Sequence, residues 1–180
     1  TPSVFTMADM MIVGRFSQAA EVSAVSTGSW IMQTITTAIV GLSMGTTILL
    51  GRRIGEKQPE EAGRVAGAGI WMFAWIGIVV TVVMQFLAVP ATGWMQAPRE
   101  AFDSTASYVR ICSAGAVFIV AYNVMGSIFR GLGNSRLPLI SVSIACLVNI
   151  AGDLLLVGVF GMASAGAAIA TVFAQVVSVV

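Results

Sequence analysis

Histidine is absent from the 180 residues, so no imidazole can relay a proton or ligate a metal. Charge is scarce as well: Asp, Glu, Lys and Arg make up 9% of the chain, against 57% hydrophobic residues. There is no basic run for nucleic acid and no low-complexity tail. The two cysteines, Cys112 and Cys146, lie inside apolar segments without C-x-x-C spacing. Such residues read as small core side chains, not as a disulfide or metal site. No basic stretch followed by a small-residue cleavage site marks a signal peptide.

What the chain has in abundance is hydrocarbon. A mean hydropathy of +0.93 lies far outside the range of soluble domains and implies a polytopic membrane protein. Apolar runs of about 20 residues between polar breaks predict an all-α, six-helix transmembrane bundle. Its spans fall at about 1–14, 24–50, 64–90, 104–129, 137–158 and 164–180. The first and last spans read as incomplete, because the chain opens at Thr1 close to an intramembrane Asp and stops at "AQVVSVV" with no polar stop. The whole of residues 1–180 reads as one transmembrane unit of a longer protein.

Arg52, Arg53, Lys57, Arg64, Arg130 and Arg136 fall in the second and fourth breaks, and the alternate breaks hold only Arg15 and Arg99, with Arg110 just inside a span. The positive-inside rule therefore places the second and fourth breaks in the cytoplasm. Trp30, Trp94 and Trp71 sit near span ends as interfacial indoles, whereas Trp75, one turn deeper, is expected to pack against protein. The dense small residues of "GLSMG", "GRVAGAG" and "GMASAGAAIA" let helices approach closely in lipid, where no hydrophobic effect drives association.

Six of the eight acidic residues lie in or beside breaks, which leaves Asp9 and Asp153 within spans. Each precedes an outer break by five or six residues. At 1.5 Å of rise per residue both carboxylates lie at one depth, about 8 Å inside the outer boundary. Asn149 is one turn before Asp153, and Thr171 lies in the next span with Gln175 a turn further on. Two carboxylates, an amide oxygen and a hydroxyl form a set suited to a hard monovalent cation such as Na⁺. The same acids could instead share a proton, or Asp153 and Asn149 could simply bond neighbouring helices while Asp9 faces headgroups. Tyr108 reads equally as an interfacial anchor or a cavity residue.

The strings "ADMMIVGRFSQAAEVSAVS", "GLSMGTTILLGRRIGEKQPEEAGR" and "FRGLGNSRLPLISVSIACLVNIAGDLLLVGVFGMASAGAAIATVFAQ" resemble the multidrug and toxic compound extrusion (MATE) transporters. The motifs Asp9-x-x-x-Val13-Gly14, Arg130-Gly131-x-Gly133-Asn134-x-x-x-Pro138 and Asn149-x-x-x-Asp153 occur in family order. The resemblance implies one lobe of a twelve-helix, two-lobe transporter in the cytoplasmic membrane, with the C-terminal lobe absent. It implies antiport of organic, mostly cationic compounds against H⁺ or Na⁺, with no cofactor beyond the coupling ion. On the same ground Asp9, Asn149, Asp153 and Thr171 match the cation site of the N-terminal lobe, a backbone carbonyl near Ala167 joins it, and Tyr108 stands nearby in the cavity. The lobe should show one polar or grooved face, for which Gln33, Thr37 and Asn123 are the candidate cavity residues. Phe16 and Ser17 depart from the Leu-Gly that the family often carries there, and with the start of the first helix missing the resemblance assigns Pro2 to no proline that bends that helix. A lipid or lipid-linked oligosaccharide flippase of the same superfamily is the alternative, expected to line its cavity with basic residues. An intramembrane aspartyl enzyme is the more distant one, because neither "ADMM" nor "AGDL" resembles a catalytic aspartate context.

Overall fold

Runs of Leu, Ile, Val, Met and Ala broken only by short polar loops can satisfy their backbone groups inside a membrane only as helices. A computed structural model describes residues 4–179, and among them no strand occurs. Pro2 lies outside the described residues. The helices are α1 (Val4–Phe16), α2 (Ala19–Gly55), α3 (Pro59–Trp94), α4 (Phe102–Ala114), α5 (Ala116–Gly131), α6 (Arg136–Asp153) and α7 (Ala163–Val179). A single 3-10 turn, Arg99–Ala101, leads into α4, and a π-helical turn, Leu154–Val159, continues α6.

Local chemistry sets the boundaries. Pro59 opens α3 at a position whose N–H has no helical partner. The Asn134 side-chain oxygen accepts the N–H groups of Arg136 and Leu137 at the start of α6. At 37 and 36 residues, α2 and α3 run well beyond the predicted 24–50 and 64–90. A helix of that length reaches about 55 Å against a hydrocarbon layer of about 30 Å, so both continue past the apolar layer. Three of the described helices are long and apolar enough to cross a membrane, or four when α4 and α5 count as one bent span. At 13 and 17 residues, α1 and α7 are shorter than a full crossing.

The predicted span 104–129 is not one rod: α4 and α5 meet at an angle of 52°. The break falls at Gly115, where a side-chain carbon would come within 2.6 Å of both methyl groups of Val172 on α7. The missing side chain lets α7 pass through the elbow. Gln85 on α3 donates to the Arg110 carbonyl at 2.9 Å, holding the α4 side of the bend.

At one end of the bundle the Glu21 carboxylate accepts from the Ser104 hydroxyl at 2.7 Å and from the Ser164 backbone N–H at 3.1 Å. That clasp joins the starts of α2, α4 and α7. Burial works to raise the Glu21 carboxyl, but the bonds from Ser164 and Ser104 outweigh it and hold it below its ordinary value. At the other end Gly51 packs against the Gly131 carbonyl, so the break after α2 and the break after α5 lie together. The six cations of the second and fourth breaks thus gather at one end.

The central core brings Val13, Val25, Met32, Tyr108, Cys112, Val157 and Ala167 together from α1, α2, α4, the π turn and α7. Trp75 does not pack as expected: it is 63% exposed, on the outward stripe that also carries Trp71. The two indoles stand four residues apart and therefore share a face. Both cysteines are free, Cys112 buried in the core and Cys146 half-buried.

Candidate functional site

Helices α6 and α7 approach closely because Gly152 carries no side chain: a carbon there would sit 2.9 Å from the Ala170 methyl. The next residue on each helix, Asp153 and Thr171, is thereby carried into the same seam. Asn149, one turn earlier on α6, donates from its side-chain nitrogen to the Thr171 hydroxyl at 3.3 Å. Thr171 in turn donates to one carboxylate oxygen of Asp9 at 3.2 Å. Asp9, on α1, lies beside Asp153 and Asn149 of α6 and lines the same cavity as Tyr108 of α4. Three helices therefore converge on a single carboxyl group.

Asp9 is 1% exposed, and Asp153 and Asn149 are fully buried. In spite of that burial, Oδ1 of Asp9, Oδ1 of Asn149 and both carboxylate oxygens of Asp153 have no donor. Leaving a buried acceptor without a partner costs about 1–3 kcal/mol, and more when it is charged. Four such atoms in one seam point to something that neutralises them: a proton shared between the acids, or a cation held by all of them. Among the described residues no group of three or more His, Cys, Asp or Glu could hold a metal ion. This all-oxygen set with two acids fits a small hard monovalent cation rather than a transition metal.

The π turn begins at the residue after Asp153, with Phe160 N–H bonded back to the Leu155 carbonyl at 3.0 Å. Widened turns of this kind are frequent at functional sites, and nothing in "LLLVGV" announces it. Ala167 is fully buried in the core beside Val157. It lies inside regular α7, where its carbonyl is committed to the helix and has one lone pair left to offer.

Beside the acids opens a cavity of about 230 Å³, lined in part by Asp9, Ser29, Gln33, Tyr108, Asn123 and Thr171. Thr37 is not part of this lining: it is exposed and its hydroxyl donates to the Gln33 carbonyl at 2.8 Å, while Thr36 takes the cavity position. Asn123 spends its side-chain N–H on the Ile119 carbonyl at 2.7 Å, leaving its oxygen for the cavity. Sequence reasoning passed over Ser29, Tyr122 and Cys112, which also line the space. A polar residue four positions from another, as Ser29 is from Gln33, was the available signal.

The MatE family profile matches residues 1–155. The chain belongs to the MatE family. Curated relatives include the probable multidrug resistance protein YoeA of Bacillus subtilis, 27% identical over 165 residues, which cover 91% of this chain and 36% of YoeA. Another is the probable multidrug resistance protein NorM of Thermotoga maritima, 24% identical over 178 residues, covering 97% of this chain and 38% of NorM. Among solved structures, an inward-facing multidrug resistance MATE family transporter of the MOP superfamily superimposes with a TM-score of 0.93 at 27% identity. That match covers 99% of this chain and 40% of the solved one. A MOP superfamily transporter from Pyrococcus furiosus, described as having a binding pocket of reverse polarity that suggests a different function, gives 0.90 at 28% identity, over 97% and 38%. This MatE chain thus spans less than half the length of these relatives. It is an all-α, multi-pass membrane protein of a transporter family, and the aspartyl-enzyme alternative falls with that membership.

Proposed function

We propose that this chain is the N-terminal lobe, residues 1–180, of a secondary antiporter in the cytoplasmic membrane that exports organic cations in exchange for H⁺ or Na⁺. The observation that carries the reading is the set of four donorless oxygens on Asp9, Asn149 and Asp153, sunk beside a cavity. An external cation entering from the Glu21 end would bind Asp9 and Asp153 and cancel their charge. Thr171 would supply a further oxygen, and Ala167 at most a spare lone pair. Substrate would occupy the cavity near Tyr108, Gln33 and Asn123, with its other wall supplied by the C-terminal lobe. Coupling requires the ion to favour one arrangement of α1 over another, and α1 is the short helix that brings Asp9 to the seam. The end that gathers Arg52, Arg53, Lys57, Arg64, Arg130 and Arg136 would face the cytoplasm.

A flippase for lipid-linked oligosaccharides would need cationic side chains for the pyrophosphate. None of the residues lining the cavity is Lys or Arg, which favours an organic cation as cargo. The test is efflux of ethidium, a planar organic cation, from proteoliposomes of the complete transporter under a pH gradient and a Na⁺ gradient applied separately. Efflux driven by one of them is the expected result, and ethidium retained under both rejects the antiport reading.

A further inference from the structure

Helix α1 serves two spaces with neighbouring residues. Asp9 turns into the seam with α6 and α7, and Met10, about 100° further round the helix, lines a second cavity of about 200 Å³ between α1 and α2. The rest of its lining is Thr6, Ser26, Ser29, Trp30 and Gln33. Thr6, Ser29 and Gln33 also line the cavity of about 230 Å³ beside the acids, so the two spaces adjoin along one row of side chains. Small-molecule sites begin at about 300 Å³, more than either cavity offers alone. Together they reach that size.

Among the described residues that line the second cavity, Trp30 is the one aromatic and none is charged. The indole is 54% exposed. An indole that anchors a helix at the membrane surface sits at headgroup level, whereas Trp30 shares its cavity with Met10, the residue after the buried Asp9. We propose that the α1–α2 cavity is a cargo subsite in which the Trp30 ring takes a planar organic cation by cation–π contact. Trp offers the strongest π face of the aromatic side chains, and the contact strengthens where water is excluded. With no carboxylate in its lining, the subsite attracts a delocalised positive charge without neutralising it, and Asp9 and Asp153 stay free for the coupling ion. The Met10 thioether is flexible and polarizable, so it adapts to flat rings of different outline. The subsite thereby favours aromatic cations over compact, strongly hydrated ones.

This inference rests on the antiport reading above, and the test separates the two. Cation-driven efflux is measured against ethidium concentration for the complete transporter and its Trp30→Leu and Trp30→Phe variants. Leu keeps apolar bulk and removes the π face, so the half-saturating ethidium concentration should rise about tenfold while the maximal rate holds. Phe keeps a weaker face and should fall between Leu and wild type. A second measurement needs no loss of Trp30: the complete transporter with its other tryptophans replaced by phenylalanine is reconstituted in phospholipid brominated along the acyl chains. An indole turned into the cavity should keep most of its fluorescence there, and one turned to lipid is quenched by contact with bromine. Where a substitution at Trp30 prevents insertion, the brominated vesicles decide. Cation-driven efflux in wild type with an unshifted Trp30→Leu, equal shifts for Leu and Phe, or strong quenching by the brominated lipid overturns the subsite and leaves antiport standing. Wild-type protein that releases no ethidium under either gradient overturns both.

Discussion

The α2–α5 seam and the α1–α6–α7 seam both bury polar side chains in an apolar bundle, and they treat them in opposite ways. In the first, Ser127 donates to Ser43 at 2.9 Å, Ser43 donates to the Val40 carbonyl at 3.0 Å, and Thr47 donates to the Ser127 carbonyl at 3.0 Å. Arg130 adds a bond to the Ser127 hydroxyl at 3.2 Å. Hydroxyls are small, neutral and rotatable, so each finds a partner and the group holds two helices together. In the second seam Asp9 keeps one donor from Thr171, while Asp153 has no donor for either oxygen. Carboxylates accept and cannot donate, so two of them side by side cannot satisfy one another unless a proton or cation joins them. Paired polar groups in this seam are glue, and the unpaired acids are where the proposed cation or proton would bind.

The sharpest way to break that contrast is Asp153→Asn in the complete protein. Asn keeps the shape and supplies the donor that the seam lacks, but it cannot release a proton and is a weaker cation ligand. Cation-driven ethidium efflux should drop to the leak of empty vesicles while membrane insertion and thermal stability hold or improve. An Asp153→Asn protein that still pumps would put Asp153 with the glue.

A smaller effect is expected from Ser127→Ala in the other seam. Interhelical hydrogen bonds in membranes contribute about 0.6 kcal/mol on average, so the variant should unfold slightly earlier in detergent. The driving-cation concentration at half-maximal efflux should stay where it is. A shift there would mean that the α2–α5 seam belongs to the coupling machinery.

The smallest effect belongs to Glu21, a carboxylate that does have its donors. Its carboxyl is held below its ordinary value, so the clasp contributes stability above the unfolded-state pKa and loses it as pH falls through the lower folded value. Glu21→Gln should lower the unfolding temperature slightly near neutral pH, by the equivalent of about 0.3 kcal/mol. The difference from wild type should vanish towards about pH 3. A gap that persists in acid would show that shape rather than charge carries the clasp.

Composition alone determined the membrane class, because 57% apolar residues and 9% charged ones leave no soluble fold to choose. The spacing of polar breaks located the helices, and a fixed rise per residue put Asp9 and Asp153 at one depth before any packing was known. What distance along the axis cannot supply is rotation about it. Adjacent helical residues point about 100° apart, so Thr36 lines the cavity where Thr37 does not, and Trp75 faces outward beside Trp71. Only tertiary contact decided these, along with the bend where Val172 meets Gly115 and the π turn after Asp153. The meeting of Ser29 with Tyr108, 79 residues apart in the chain, depends on how α2 and α4 turn toward each other, and side-chain packing between helices sets that turn.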